Sequence, residues 1–165
     1  MPNIVYSSGG EELLDKAKAL WEKLNQLHAT TSPNFEGYYA GQTWKKRKGE
    51  IIRSSRKGGV RVDLAYAGKD RQLVGFCISH VTKENEGELD SIYVEEEFRN
   101  SGMGDRLMIG ALNWFHYQGV SNMKIAVTTG NESVIQFYER HGFSPRIIVL
   151  ENPTLESTAC PANGA

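Results

Sequence analysis

In the first third of the chain, apolar residues recur at three- and four-residue intervals. Leu13, Leu14, Ala17, Leu20, Trp21 and Leu24 form one stripe between positions 10 and 28. This is the period of a helix that buries one face, and Glu11 and Glu12 suit its positive first turn. After Ser32-Pro33, a second helical stretch is expected through Tyr38, Tyr39 and Trp44 toward Arg56, ended by Gly58-Gly59. Positions 60–67, 72–81 and 87–94 then read as three strands. The turns between them, Gly68-Lys69-Asp70 and Glu84-Asn85-Glu86-Gly87, are short enough for an antiparallel meander. Leu107, Met108, Ala111, Leu112 and Phe115 return to helical spacing and predict a helix over 102–117. A strand at 124–129, a helix at 132–141 and a last strand at 144–150 complete the pattern. Residues 152–165, with two prolines among small polar residues, read as a loose tail. No internal repeat or boundary divides 1–151, which reads as a single domain.

Composition narrows the class. A chain of 165 residues is a natural size for one domain with a real core. Its formal charge of -1 argues against a dedicated nucleic-acid or membrane surface. The N-terminus carries no apolar signal segment, and no run approaches membrane-spanning length. Cys77 and Cys160 do not make a disulfide framework, so a reducing cytoplasm is the expected compartment.

The most informative segment is Arg99-Asn100-Ser101-Gly102-Met103-Gly104, between the strand at 87–94 and the helix that follows. Glycines at 102 and 104 let backbone N–H groups converge on an anion at the positive end of a helix. Arg99 adds a cation that can fork onto phosphate oxygens. The segment lacks the Lys-Ser or Lys-Thr of a nucleoside triphosphate loop, and its spacing is not the longer dinucleotide form. About thirty residues on, Asn131, Phe137, Tyr138, Gly142 and Phe143 follow a strand in the order Asn-x5-Phe-Tyr-x3-Gly-Phe.

Taken together, these two motifs, their separation and the helix and strand between them resemble the GNAT superfamily of acyl-CoA-dependent N-acetyltransferases. The resemblance covers about residues 60–151; the first sixty residues match only in being helical. It implies an α/β (α+β) fold, with a central mixed, mostly antiparallel sheet flanked by helices and a V-shaped splay between two parallel strands. It implies acetyl-CoA as cosubstrate and no metal. The backbone of Ile92, Tyr93 and Val94 would pair with the pantetheine arm. The pyrophosphate would rest on the amides of Asn100, Ser101, Gly102, Met103 and Gly104, with Arg99 beside it, and Asn131 would hydrogen-bond the pantetheine. The chain departs from the family in having Asn100 and Ser101 where further basic residues are usual. Glu95, Glu96, Glu97 and Asp105 flank them, so the local field is less positive.

Transfer to an amine requires a base, an oxyanion donor and an acid. The resemblance nominates Glu88 as base, eleven residues before Arg99. Asp90 is in reserve, facing the same side two residues on. In relatives that acetylate ribosomal-protein N-termini the base lies instead where this chain has Ala126. A backbone N–H around Ile92 to Val94 would meet the oxyanion, and Tyr138 would protonate the CoA sulfur. His28, His80, His116 and His141 have no metal-ligand spacing.

The acceptor is an amine that the pattern does not name. Phe35, Tyr38, Tyr39 and Trp44 are candidate groove walls or core residues. The basic run Lys45, Lys46, Arg47, Lys48, Arg53, Arg56 and Lys57 is a solvated helix face, or a site for an acidic partner or the CoA 3′-phosphate. The functional readings are an N-acetyltransferase acting on a protein, peptide or small molecule, or a noncatalytic acyl-CoA-sensing module of the same fold. A nucleic-acid adaptor is a weaker third. A homodimer through the last strand or the second helix is compatible with the pattern.

Overall fold

A computed structural model describes residues 2–153. Their contacts group into two compact units, one of the residues up to Leu24 with Thr43–Ala126, the other of Asn25–Gln42 with the chain from Val127. Of the expected tail, residues 154–165, Cys160 among them, lie outside the described residues.

The first unit is built on a five-stranded sheet in the order β1 (Ile4–Gly9), β2 (Ser55–Ala67), β3 (Gln72–Thr82), β4 (Glu86–Val94) and β5 (Asn122–Ile125). The first three neighbour pairs are antiparallel, and β4 with β5 is parallel. The expected meander is therefore β2 to β4. β1 has no counterpart in the sequence reading, because Ile4, Val5 and Tyr6 run into Ser7, Ser8 and Gly9. It becomes a strand by pairing with β2 from Ile4↔Ala67 to Gly9↔Val62. Gly58 and Gly59 do not stop the helix before them. It ends at Ser54, and both glycines lie in β2 where the register with β3 shifts.

Two layers cover the sheet. Helix α4 (Met103–Gln118) crosses one face, its Met103 and Leu107 against Gly75 and its Phe115 ring against Gly87. A Cβ at Gly87 would meet Phe115 at 2.9 Å, so α4 approaches β4 more closely than a side chain there would allow. On the other face, Val62, Leu64, Phe76 and Ile78 pack with Leu14, Ala17, Leu20, Trp21 and Leu24 and with Trp44 and Ile51. The stripe between 10 and 28 begins as a 3-10 helix, Glu11–Ala17, and continues as α1 (Lys18–Thr31). The expected second helix is broken. A 3-10 turn at Pro33–Phe35 leads into α2 (Glu36–Ala40), and α3 (Trp44–Ser54) starts afresh from the Thr43 cap, whose hydroxyl accepts the Lys46 N–H.

In the second unit, the strand expected over 124–129 has already ended at Ile125. Thr128 and Thr129 instead take side-chain partners: Tyr39 Oη donates to Thr128 Oγ1 at 3.2 Å, and Ser32 Oγ meets the carbonyl and hydroxyl of Thr129. Gly130 has φ of 86°, and a Cβ there would fall 2.0 Å from the Thr31 carbonyl oxygen, so only glycine fits this turn. The helix expected over 132–141 is a 3-10 turn at Glu132–Val134 followed by α5 (Ile135–Arg140). The strand expected at 144–150 does not form. No strand among the described residues pairs with it, and Ile147, Ile148, Val149 and Leu150 are exposed. Their β-forming composition has no ladder to join.

Candidate functional site

β4 carries the centre of the first unit. Its pairing with β5 covers only Glu86↔Asn122 to Leu89↔Ile125, so among the described residues no strand lies beside this edge of β4 from Asp90 to Val94. The pairing stops where β5 itself ends, at Ile125. This leaves the backbone of Ile92, Tyr93 and Val94 facing outward on one edge while the other stays bonded to β3.

Beyond Val94 the chain makes a 3-10 turn, Glu96–Phe98, and enters the phosphate-cradle segment. Arg99 Nε donates to the Val94 carbonyl at 2.9 Å, and the guanidinium lies 5.6 Å from the centre of the Tyr93 ring. Ser101 Oγ donates to the Phe98 carbonyl, and Asn100 takes φ of 58°. Gly102 is the N-cap of α4 in the left-handed region, φ 83°, and makes no side-chain cap bond. The opening amides of a helix have no intrahelical acceptor. Those at Gly102, Met103 and Gly104 therefore form an uncapped positive end of a sixteen-residue helix. The flanking charge is smaller than the sequence suggests. Glu95 is largely covered, paired with Lys23 and accepting from Tyr93 Oη, whereas Glu96 and Glu97 are exposed. The Glu95 contact holds Lys23 above its usual range.

The candidate base lies in a line of three side chains across three strands. His80 on β3 is paired in register with Glu88 on β4, and Glu88 with Lys124 on β5. His80 Nε2 is 3.5 Å from Glu88 Oε2, and Lys124 Nζ is 3.1 Å from Glu88 Oε1 and 2.9 Å from Glu86 Oε2. His80 is buried, with Ser54 Oγ 3.0 Å from Nε2 and no partner on Nδ1. Burial pushes its imidazole below the usual range, so it is neutral near pH 7. The bonds from Glu86 and Glu88 raise Lys124.

Asp90 faces the same side as Glu88, as expected, but is held differently. The register with β3 steps from Ile78↔Ser91 to Ser79↔Leu89, so Asp90 is the extra residue of a β-bulge. Its carboxylate, 2% exposed, is ion-paired with Arg47 of α3, which also reaches Glu50 at 3.2 Å. Burial pushes the Asp90 carboxyl up against the opposing pull of Arg47. Arg47 thus leaves the basic run to anchor α3 on β4. Lys48 pairs with Asp15, and Arg56 bonds Asn85 and Gln118, so the run is not one solvated face. Trp44 is core, with its Nε1–H on Asp15 at 2.8 Å, while Tyr38 is exposed. Among the described residues no three metal-ligating side chains come together.

In the second unit, Asn131 opens the Glu132–Val134 turn without capping it through its side chain. The half-buried Tyr138 ring lies 5.3 Å from Phe137 and 6.4 Å from Phe143.

The sequence pattern of the Acetyltransferase (GNAT) family matches residues 21–143. The chain belongs to this family. An uncharacterized N-acetyltransferase of Methanocaldococcus jannaschii is 31% identical over 72 residues, 44% of this chain and 32% of the relative. The mycothiol acetyltransferase of Corynebacterium efficiens is 26% identical over 133 residues, 79% of this chain and 42% of the relative. The chain therefore spans less than half the length of these curated relatives. Among solved structures, the PaiA N-acetyltransferase of Thermoplasma acidophilum in complex with coenzyme A matches with a TM-score of 0.64 at 20% identity, covering 86% of this chain and 90% of that one. The aminoglycoside acetyltransferase AAC(6')-Iy, bound to a bisubstrate analogue, matches at 0.62 and 16%, covering 91% and 98%. At these identities the likeness is one of GNAT fold, and a CoA-type cosubstrate is the property of the family that the first unit's uncapped helix suits.

Proposed function

We propose that this GNAT chain transfers an acetyl group from acetyl-CoA to a primary amine by direct attack in a ternary complex, in a reducing cytoplasm. The observation that carries the reading is the bare edge of β4 from Asp90 to Val94 leading into the uncapped N-terminus of α4. Pantetheine amides would pair with the outward-facing backbone groups of the Ile92, Tyr93 and Val94 stretch, where the Val94 carbonyl already accepts from Arg99 Nε. The pyrophosphate would lie on the amides of Asn100 to Gly104 with Arg99 as counter-ion, and Asn131 would bond the pantetheine.

Glu88 is the base in this reading. It is one-third exposed, whereas Asp90 is enclosed and committed to Arg47. An ammonium acceptor gives up a proton at Glu88, the free amine attacks the thioester carbonyl, and a β4 backbone N–H stabilises the oxyanion. Tyr138 protonates the departing sulfur. Calorimetric titration with acetyl-CoA and CoA, followed by thiol release on pooled amines, peptides and antibiotics, tests the proposal. Binding with turnover supports the transferase, binding without turnover leaves the acyl-CoA-sensing alternative, and no binding refutes the cradle.

A further inference from the structure

The ammonium of Lys124 is already hydrogen-bonded to the carboxylate proposed as the base. It is a primary alkylammonium, the group this reaction acetylates, hydrogen-bonded to Glu88 at 3.1 Å and to Glu86 at 2.9 Å. A general base must lie within hydrogen-bond reach of the proton it removes, and for Lys124 that condition is met within the chain itself. The other ion-paired lysines of this unit lean on carboxylates with no part in the chemistry: Lys23 on Glu95, Lys48 on Asp15 and Lys18 on Glu22. Lys124 also stands one residue before the end of the β4–β5 pairing. Its register partner is Glu88, and the unpaired edge of β4 begins two residues farther on at Asp90. With a strand rise of about 3.3 Å per residue, that is roughly 7 Å along β4. Lys124 gives up its proton at Glu88 where it stands, and its flexible four-carbon stem then carries the free amine over such a distance by changing rotamer, the side chain being half exposed.

We propose that Lys124 is a self-acetylation site of this protein, modified in cis from acetyl-CoA with Glu88 as base. The inference rests on the proposed acetyl transfer. The ammonium gives one proton to Glu88, and its nitrogen lone pair attacks the thioester carbonyl carbon. As the tetrahedral intermediate collapses, the C–N bond is kept, the C–S bond breaks and the remaining ammonium-type proton ends on the CoA thiol. The product is an amide without charge. It cannot hold Glu86 and Glu88 as the ammonium did, so modification frees the Glu88 carboxylate for an external amine and couples the acceptor site to the supply of acetyl-CoA.

The test incubates the full chain with acetyl-CoA and no acceptor, and follows each lysine by peptide mass mapping over time. The exposed Lys57 and Lys69 report uncatalysed acetylation. Lys124 is expected to be modified on the order of ten-fold or more faster than either, at a rate unchanged by diluting the protein, and Glu88→Gln is expected to remove that excess while leaving Lys57 and Lys69 as they were. A Lys124 rate equal to theirs, a rate that falls on dilution, or an excess that survives in Glu88→Gln overturns the proposal. The wild-type comparison decides it even where the variant does not fold. Calorimetry and the amine panel run on the same preparation separate the two levels: turnover of external amines with Lys124 unmodified refutes self-acetylation alone, whereas absence of acetyl-CoA binding removes both.

Discussion

Replacing Arg47 with alanine leaves the Asp90 carboxylate, 2% exposed at the bulge of β4, without its cation. Removing one partner of a buried pair costs about 3–5 kcal/mol. The Arg47 side chain is 35% exposed, so water enters part of the vacated space and the expected loss falls to about 2–3 kcal/mol. The second contact of Arg47, with the half-exposed Glu50, adds at most a few tenths. For a domain of this size the shift in Tm is then about 5–10 °C. Asp90→Asn in the same chain removes the stranded charge, so the double variant is expected to recover about 1–2 kcal/mol relative to additivity.

The pH dependence has a fixed sign. Burial raises the Asp90 carboxyl in the folded state, and loss of Arg47 raises it further. An acid with a folded pKa above its unfolded value binds its proton first in the folded state, so lowering the pH through that range favours folding. The deficit of Arg47→Ala is therefore largest at neutral pH and narrows in mild acid. Urea denaturation of wild type, both single variants and the double variant at the two pH values measures all of this. An Arg47→Ala midpoint equal to wild type at neutral pH, or no recovery in the double variant, would refute the assignment of Arg47 as the counter-ion that fixes α3 to β4.

Three further outcomes follow from the site. Gly102→Asp puts a carboxylate on the first turn of α4 at a φ of 83°; it should abolish CoA binding by calorimetry, with a stability loss of only about 1–2 kcal/mol from the left-handed backbone. Tyr138→Phe should keep CoA binding and lower kcat by roughly 10²-fold or more, and an unchanged kcat would defeat the acid assignment. Glu88→Gln should lower kcat/KM at neutral pH and regain part of it as rising pH deprotonates the amine in solution; a loss that stays constant with pH would move the base elsewhere.

Much of the fold was legible because its signals are local. The stripe from Leu13 to Leu24, the meander turns and the spacing from Leu107 to Phe115 each reflect which residues a helix or strand sets side by side within a few positions. The cradle was legible for the same reason, since a strand end, an arginine, two glycines and a helix start lie within a dozen residues. The His80 and Glu88 pair was within reach too: in a hairpin that turns around Glu84, positions 80 and 88 face one another.

Other features were set by distant partners. The chain from Ile4 to Gly9 is a strand because β2 lies beside it, and Ser144 to Leu150 is none because no described edge receives it. Lys124 meets Glu88 only through a parallel register between segments separated by all of α4, and Arg47 meets Asp90 only because α3 packs beside β4, more than forty residues on in the sequence. By itself, then, the sequence determined the family, most of the periodic elements and the glycine turn that opens α4, all of which are written in spacing along the chain. The tertiary structure alone decided which carboxylate is enclosed and which is open to an amine, because cross-strand register and burial, which set a carboxylate's partners and its exposure to water, come from residues far apart in sequence.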